Sequence, residues 1–274
     1  MDAEERKAML KQTFDTVAQG YDNPSLRFFL QSAKQMISLL DLRGNEIVLD
    51  VATGTGHAAM EISRYLTMGR VQGIDFSSGM LAMAEEKRDA MKIKNVKFSQ
   101  MDMQALEFDD DYFDLAICSF CIFFVEDMTG LLRHIAAKVR RGGKILVTTF
   151  TRQLFAPLSD MFLERLESYG VEIPKFTQRR TASAEACRNL FRSAGLSNIQ
   201  IYHKDMGFKI FTTAQWWDII WNSGSRSLVE QLPDQRRQEF KAAHLEEVQA
   251  LVDQGELRLE IKVLYTMGTK YGKI

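Results

Sequence analysis

The hydrophobic and polar positions predict a chain that opens with two amphipathic helices, near Glu4–Gln19 and Pro24–Leu40, and then alternates strand with helix. EIVLDVA (Glu46–Ala52) is a short apolar run between Gly44 and Gly54, the pattern of a strand buried on both faces. The stretch after it sets Ala58, Ile62, Tyr65 and Leu66 on one helical face. VQGID (Val71–Asp75), NVKFSQMD (Asn95–Asp102), FDLAICSF (Phe113–Phe120) and KILVTTF (Lys144–Phe150) repeat the strand signal. Between them lie a helix with Met80, Met83 and Ala84, capped by Ser77 or Ser78, and one with Leu131, Leu132, Ile135 and Val139 before a turn at Gly142–Gly143. Repeated β-α units of this length imply an α/β fold, a parallel sheet with right-handed crossovers and helices on both faces.

Beyond Phe150 the rhythm loosens. Helices are expected near Ser159–Tyr169, between Ser183 and Gly195, and over Ala214–Asn222 and Pro233–Asp253, with a strand near Asn198–His203. The last strand, LRLEIKVLYTM (Leu257–Met267), sets Leu257, Leu259, Ile261, Val263 and Tyr265 on one face by period-two alternation. The organisation reads as one domain over 1–274. Segment 1–42 supplies N-terminal helices, 43–150 the ligand-binding core, and 151–182 with 207–255 helical insertions that form a cap over the substrate.

Composition narrows the partners. With 35 basic against 36 acidic residues, no bulk charge draws the chain to nucleic acid or to an anionic membrane. The start, MDAEERKAML, lacks the apolar core of a signal peptide, and no run is long enough for an integral membrane segment. Three cysteines make no disulfide framework, and no metal-ligand cluster accompanies Cys118 and Cys121. The expectation is a cytoplasmic protein without a metal, acting on a small molecule.

Candidate chemistry sits at three consecutive strand ends, where open parallel sheets bind ligands. The first ends in Asp50 and the turn Thr53–Gly54–Thr55–Gly56, the second in Asp75, the third in Asp102 and Met103. GTGHAA (Gly54–Ala59) fits a dinucleotide fingerprint, and Asp75 stands about 20 residues on, where an acid bonds ribose hydroxyls. A pyrophosphate gains nothing from Asp50, whereas a cofactor with an ammonium, a sulfonium and no phosphate is attracted to it. Asp102 suits an adenine amino group with Met103 packed near the ring. S-adenosylmethionine (SAM), with S-adenosylhomocysteine (SAH) as product, fits all three acids; an NAD-dependent oxidoreductase accounts for Asp75 alone.

These residues resemble the class I SAM-dependent methyltransferases over roughly Phe14–Phe150. DVATGTG (Asp50–Gly56) and FDTVAQGYD (Phe14–Asp22) are similar to the ubiquinone/menaquinone-biosynthesis group. GIDFSSGMLAMAEEK (Gly73–Lys87), MDMQALEF (Met101–Phe108), FDLAICSF and RRGGKILVTTF (Arg140–Phe150) match later motifs in order. The chain departs from that group at Asn23–Pro24, where Met-Asn is common, and at Arg140–Arg141, where Lys-Pro precedes the glycines. The resemblance implies a Rossmann-like, seven-stranded sheet with its last strand antiparallel. It also implies cofactor contacts at Asp50, Ala52, Thr53, Gly54, Gly56, Asp75, Phe76, Met80, Asp102, Met103 and Ser119. Tyr21 either covers the cofactor, as an amino-terminal tyrosine does in similar enzymes, or packs within the fold.

For the acceptor, FCIFFVED (Phe120–Asp127) and WWDIIW (Trp216–Trp221) are the aromatic segments. Phe120, Phe124, Trp216 and Trp217 are therefore the candidate wall of an apolar or aromatic substrate site, with Trp217 and Trp221 alternatively a packing face of the cap. No catalytic base stands out among His57, His134, His203 and His244. The reading is methyl transfer to a small molecule by in-line displacement; a protein that binds SAM or SAH without transfer is the alternative.

Overall fold

The glycine-bounded apolar runs form a seven-stranded sheet in the computed structural model, which describes residues 3–173, 177–255 and 257–272. Its strands are β1 (Ile47–Val51), β2 (Arg70–Asp75), β3 (Val96–Gln100), β4 (Phe113–Ser119), β5 (Val139–Phe150), β6 (Ser197–Asp205) and β9 (Lys262–Thr269). Strands β7 (Phe208–Lys209) and β8 (Arg258–Leu259) pair separately as an antiparallel ribbon. The order in the sheet is β3-β2-β1-β4-β5-β9-β6. The first five strands run parallel, and β9 is antiparallel to β5. The order reverses between β1 and β4, the switch point outside which ligands bind.

Helices follow the strands as the periodicity predicts. They are α1 (Ala3–Val17), α2 (Phe28–Ile37), α3 (His57–Ser63), α4 (Ser78–Ala90), α5 (Met128–Lys138), α6 (Leu158–Ser168), α7 (Ala184–Ser193), α8 (Thr213–Trp221), α9 (Arg226–Val229) and α10 (Asp234–Asp253). Polar side chains start several of them by satisfying first-turn N–H groups. The Ser77 hydroxyl accepts from Met80 N–H at 3.1 Å, Asp127 from Gly130 N–H at 2.7 Å, and Ser183 from Ala186 N–H at 3.2 Å. The central strands are apolar on both faces because both are covered. Val48, Leu49, Val51, Ile117 and Leu146 have no more than 0% exposure, and each such side chain contributes about 1.5–3 kcal/mol of burial.

The chain forms two compact units. The sheet unit comprises Phe29–Arg152, Thr177–Lys204 and Val263–Ile274; the helical unit comprises Met1–Phe28, Gln153–Phe176 and Asp205–Lys262. In the helical unit α10 packs on α6 and α8.

Three local expectations differ from the structure. The final alternating run is two strands, because its backbone changes partners midway. Glu260 N–H donates to the Ala156 carbonyl at 3.0 Å and the Ile261 carbonyl accepts from Met206 N–H at 2.8 Å, so β8 joins β7 and only β9 enters the large sheet. Tyr65 does not extend the buried face of α3. The Asn95 side-chain amide donates to the carbonyls of Ser63 and Leu66 at 2.9 and 3.0 Å, ending that helix and leaving Tyr65 54% exposed. Finally, β5 begins at Val139, with its register against β4 shifting between Phe113 and Leu115 to absorb the glycine pair.

Candidate functional site

The loop after β1 is built around two buried carboxylates. Asp50, 1% exposed, accepts from the Thr53 hydroxyl at 2.6 Å and from Ala59 N–H in α3 at 3.1 Å. Burial pushes its carboxyl up to about 7, against the lowering effect of those two bonds. Asp75, at the end of β2, accepts from Gly54 N–H at 2.8 Å through one oxygen and from Ser77 N–H at 2.9 Å through the other. Thr53 N–H reaches the Ile74 carbonyl at 2.8 Å, so the loop is stitched to β2 by backbone as well as side chain. Lys87 of α4 donates to the Thr55 carbonyl at 3.0 Å.

The glycines divide the work. Gly54, at φ +56°, has open space where a Cβ would stand, leaving its backbone approachable by a ligand. At Gly73 a Cβ would come within 2.7 Å of the Phe98 ring and 3.0 Å of the Thr53 hydroxyl, so this glycine is required for the loop to lie against β2. Ala52, directly after β1, takes φ +53° without being glycine. Such strain gathers at functional loops.

The remaining cofactor candidates lie near the same strand ends. Phe76 follows Asp75, and its carbonyl accepts from the Gln100 side chain at 2.9 Å. Asp102 and Met103 are half-buried just beyond β3, and Asp102 accepts from Gln104 N–H at 2.9 Å. Met80 is buried in the first turn of α4, and Gly56 (φ +82°) starts α3 against Met60, Ala84 and Phe98. The acceptor-only carboxylate of Asp75, held by two backbone N–H groups, matches ribose hydroxyl donors, and the open face at Gly54 matches a ligand passing close to backbone. The loop fits SAM. The sulfonium and ammonium of that cofactor also suit the ionised form of Asp50.

At the end of β4 the chemistry changes from acids to hydroxyls, aromatics and thiols. Ser119 is half-buried, and Phe120 after it takes φ +56°. The Phe120 ring stacks on Phe150 at 4.3 Å and meets the edge of Phe29 at 5.4 Å. Phe124, in the helical turn Ile122–Phe124, tilts against Phe123 at 5.0 Å. Cys118 and Cys121 bring their sulfurs to 3.0 Å, and Cys121 also reaches the Val51 carbonyl at 3.5 Å. The bond with Cys118 and burial hold the Cys121 thiol well above the ordinary range, so it is an inert packing thiol.

Tyr21, Trp216, Trp217 and His244 belong to the helical unit. Tyr21 follows the short turn Ala18–Gly20 and meets Phe14 edge to face at 6.4 Å. Trp216 is interior: 2% exposed, it donates its indole N–H to His244 Nε2 at 2.8 Å, between Phe155 and Phe162. Trp217 stacks on Trp221 at 5.8 Å and carries the Lys241 ammonium at 4.6 Å. His244, for which the sequence offers no partner, is buried among Trp216, Phe162 and Phe240, and burial pushes it down to about 4. His134 accepts from Leu106 N–H at 2.9 Å and is structural. Gly73 and Lys87 were not singled out from the sequence; only the contacts with Phe98, Thr53 and Thr55 reveal them.

Comparisons with known proteins agree with this geometry. A family described as "Methyltransferase domain" matches residues 48–143. A ubiquinone/menaquinone biosynthesis C-methyltransferase from Serratia proteamaculans is 34% identical over 197 residues, covering 69% of this chain and 77% of that protein. Among solved structures, the YcgJ protein of Bacillus subtilis superposes with a TM-score of 0.61 at 20% identity, over 88% of this chain and 99% of that one. A phosphoethanolamine N-methyltransferase 2 from Haemonchus contortus, in complex with SAM, gives 0.55 at 18% identity, over 88% of this chain and 53% of that one. Sheet order, loop and relatives together identify the chain as a member of the class I SAM-dependent methyltransferases, an enzyme whose cofactor is SAM.

Proposed function

We propose that the enzyme transfers the SAM methyl group to an apolar, aromatic small molecule. The observation that carries this reading is the cluster of Phe29, Phe120 and Phe150 at the carboxyl ends of β4 and β5. Aromatic walls favour flat apolar acceptors, and their faces favour a neighbouring cation. The name of the Serratia relative, a quinone-biosynthesis C-methyltransferase, points to an acceptor of the same character.

In this reading Asp75 bonds the ribose hydroxyls, Asp102 and Met103 flank the adenine, and the Thr53–Gly56 turn admits the methionine portion near Asp50. Ala52, Phe76, Met80 and Ser119 complete the surroundings of the cofactor. Bound SAM supplies a methyl group made electrophilic by its sulfonium. The chain has then to hold the acceptor in line, exclude water and orient the nucleophile, and positioning of this kind supplies much of the acceleration. An acceptor arriving as its anion requires no catalytic base, and no residue is assigned that role.

Incubating the full chain with SAM carrying a deuterated methyl group and a panel of aromatic acceptors tests the proposal. Mass spectrometry should find one labelled methyl on an apolar aromatic product. Transfer confined to polar aliphatic acceptors would overturn the acceptor class. Tight SAM binding without transfer to any acceptor would favour a binding protein instead.

A further inference from the structure

Thr148 and Thr149 are consecutive in β5 and are treated differently by the fold. Thr149 donates to the Thr181 carbonyl at 3.1 Å, whereas the Thr148 hydroxyl, in a residue with 0% exposure, has no hydrogen-bond partner among the described residues. The Ser119 hydroxyl is likewise buried and unpartnered. These two residues are cross-strand neighbours: Ser119 of β4 pairs with Thr148 of β5, which pairs in turn with Tyr265 of β9. Residues opposite one another share a face of the sheet, on strands about 4.8 Å apart. Tyr265 identifies that face as the one beneath α2, since its hydroxyl lies 2.6 Å from the Ser32 hydroxyl. Phe150, two residues beyond Thr148, is on the same face and stacks against Phe120.

Native folds rarely leave buried hydroxyls unpaired, and each one costs free energy that a bound partner recovers. Thr266 and Thr151 also carry unpartnered hydroxyls, but Thr266 opposes Val147 and so faces the other side, and Thr151 lies past the end of β5. Among the described residues only Ser119 and Thr148 form a pair, and they do so beside the aromatic stack. The Phe120 N–H donates to the Thr148 carbonyl at 2.9 Å, which fixes the left-handed backbone of the half-buried Phe120 beside Thr148.

We infer that Ser119 and Thr148 form a polar subsite for the ring oxygen of the acceptor, so that the enzyme selects aromatic rings bearing a hydroxyl or carbonyl oxygen over plain hydrocarbons. This rests on the aromatic-acceptor reading and gives Ser119, beside the cofactor, a second role towards the acceptor. The ring packs against Phe120 and Phe150 while its oxygen completes the hydroxyl pair. A site built around such groups rejects an analogue lacking the oxygen, because the hydroxyls are then left unpaired again.

The test uses the full chain saturated with SAH and titrated with 1-naphthol or naphthalene, followed by fluorescence. Wild type should prefer 1-naphthol by about tenfold or more. Thr148→Val should reduce the preference below about threefold, Ser119→Ala should reduce it partly, and Thr148→Ser should retain it. SAH affinity should stay within about twofold in both Thr148 variants, which separates loss of the subsite from loss of the fold. Equal binding of the two probes by wild type, binding of neither, or a preference that survives Thr148→Val would overturn the inference and leave the hydroxyls to ordered water. A naphthol preference without methyl transfer to any acceptor would instead sink the transferase reading and keep the subsite.

Discussion

The carboxyl ends of β1 and β2 contrast with those of β4 and β5. At the first pair, Asp50, Thr53, Asp75 and Ser77 are each hydrogen-bonded within the chain, and a glycine is required for the loop to fit against β2. At the second, two buried hydroxyls have no partner among the described residues, and three phenylalanine rings pack together beside them. A frame whose acids are already held in place can receive an invariant cofactor with little reorganisation. A frame left incomplete gains its last partners from whatever binds there. On the proposed reading, the two ends of one sheet edge divide the labour of a two-substrate enzyme.

The largest effect expected is at Gly54. Gly54→Val puts a β-branched residue at φ +56° and fills the open space beside that backbone; SAM binding should weaken by about 100-fold or more, since it adds a steric block to backbone strain. Calorimetric titration checks this, and near-normal binding would break the assignment of that turn to the cofactor. Next, one substitution made at both ends should have opposite signs. Thr53→Val removes a hydrogen bond from buried Asp50 and should destabilise by ~1–3 kcal/mol, whereas Thr148→Val removes an unpaired hydroxyl and should be neutral or stabilising. Urea unfolding of both variants decides it, and equal losses would erase the contrast.

Acidity sharpens the same comparison. Asp50 holds its proton up to about pH 7, and a cation bound beside it favours its anion, so on the proposed reading SAM binding should expel a proton in more acidic solution. Affinity should rise roughly five- to tenfold from pH 6 to pH 7.5 in wild type and stay flat in Asp50→Asn. The raised carboxyl also makes the apo fold lose stability as pH climbs from about 4 towards 7. His244 works the other way. Neutral when folded down to about pH 4, it accepts a proton at ordinary pH values only on unfolding, so its contribution is lost as pH falls from about 6.5 towards 4. His244→Phe should therefore flatten the acid side of the stability profile, a smaller effect read by thermal unfolding between pH 4 and pH 7.

What the sequence could reveal follows the range of the interactions. The β1 loop was readable because its signals are local: an apolar run, an acid, two glycines, and a second acid at the next strand end. The caps at Ser77 and Ser183 were readable for the same reason. The split of the last strand was not, since alternation continues unbroken through Leu259, Ile261 and Val263 while the backbone partners change from β7 to β5. Trp216, a candidate substrate wall in the sequence, gives no local sign that His244, 28 residues away, accepts its N–H. Gly73 and Lys87 serve the loop through contacts that no spacing announces. The hydroxyl pair of Ser119 and Thr148 emerges only from strand register.

The most direct measurement is calorimetric titration of SAM, with NAD as control, into wild type, Asp75→Ala and Thr148→Val. SAM should bind and NAD should not, Asp75→Ala should weaken SAM by about 100-fold for the loss of charge-assisted bonds, and Thr148→Val should leave SAM within about twofold. Equal weakening by both substitutions, or a SAM affinity indifferent to Asp75→Ala, would contradict the division between a completed cofactor end and an incomplete acceptor end.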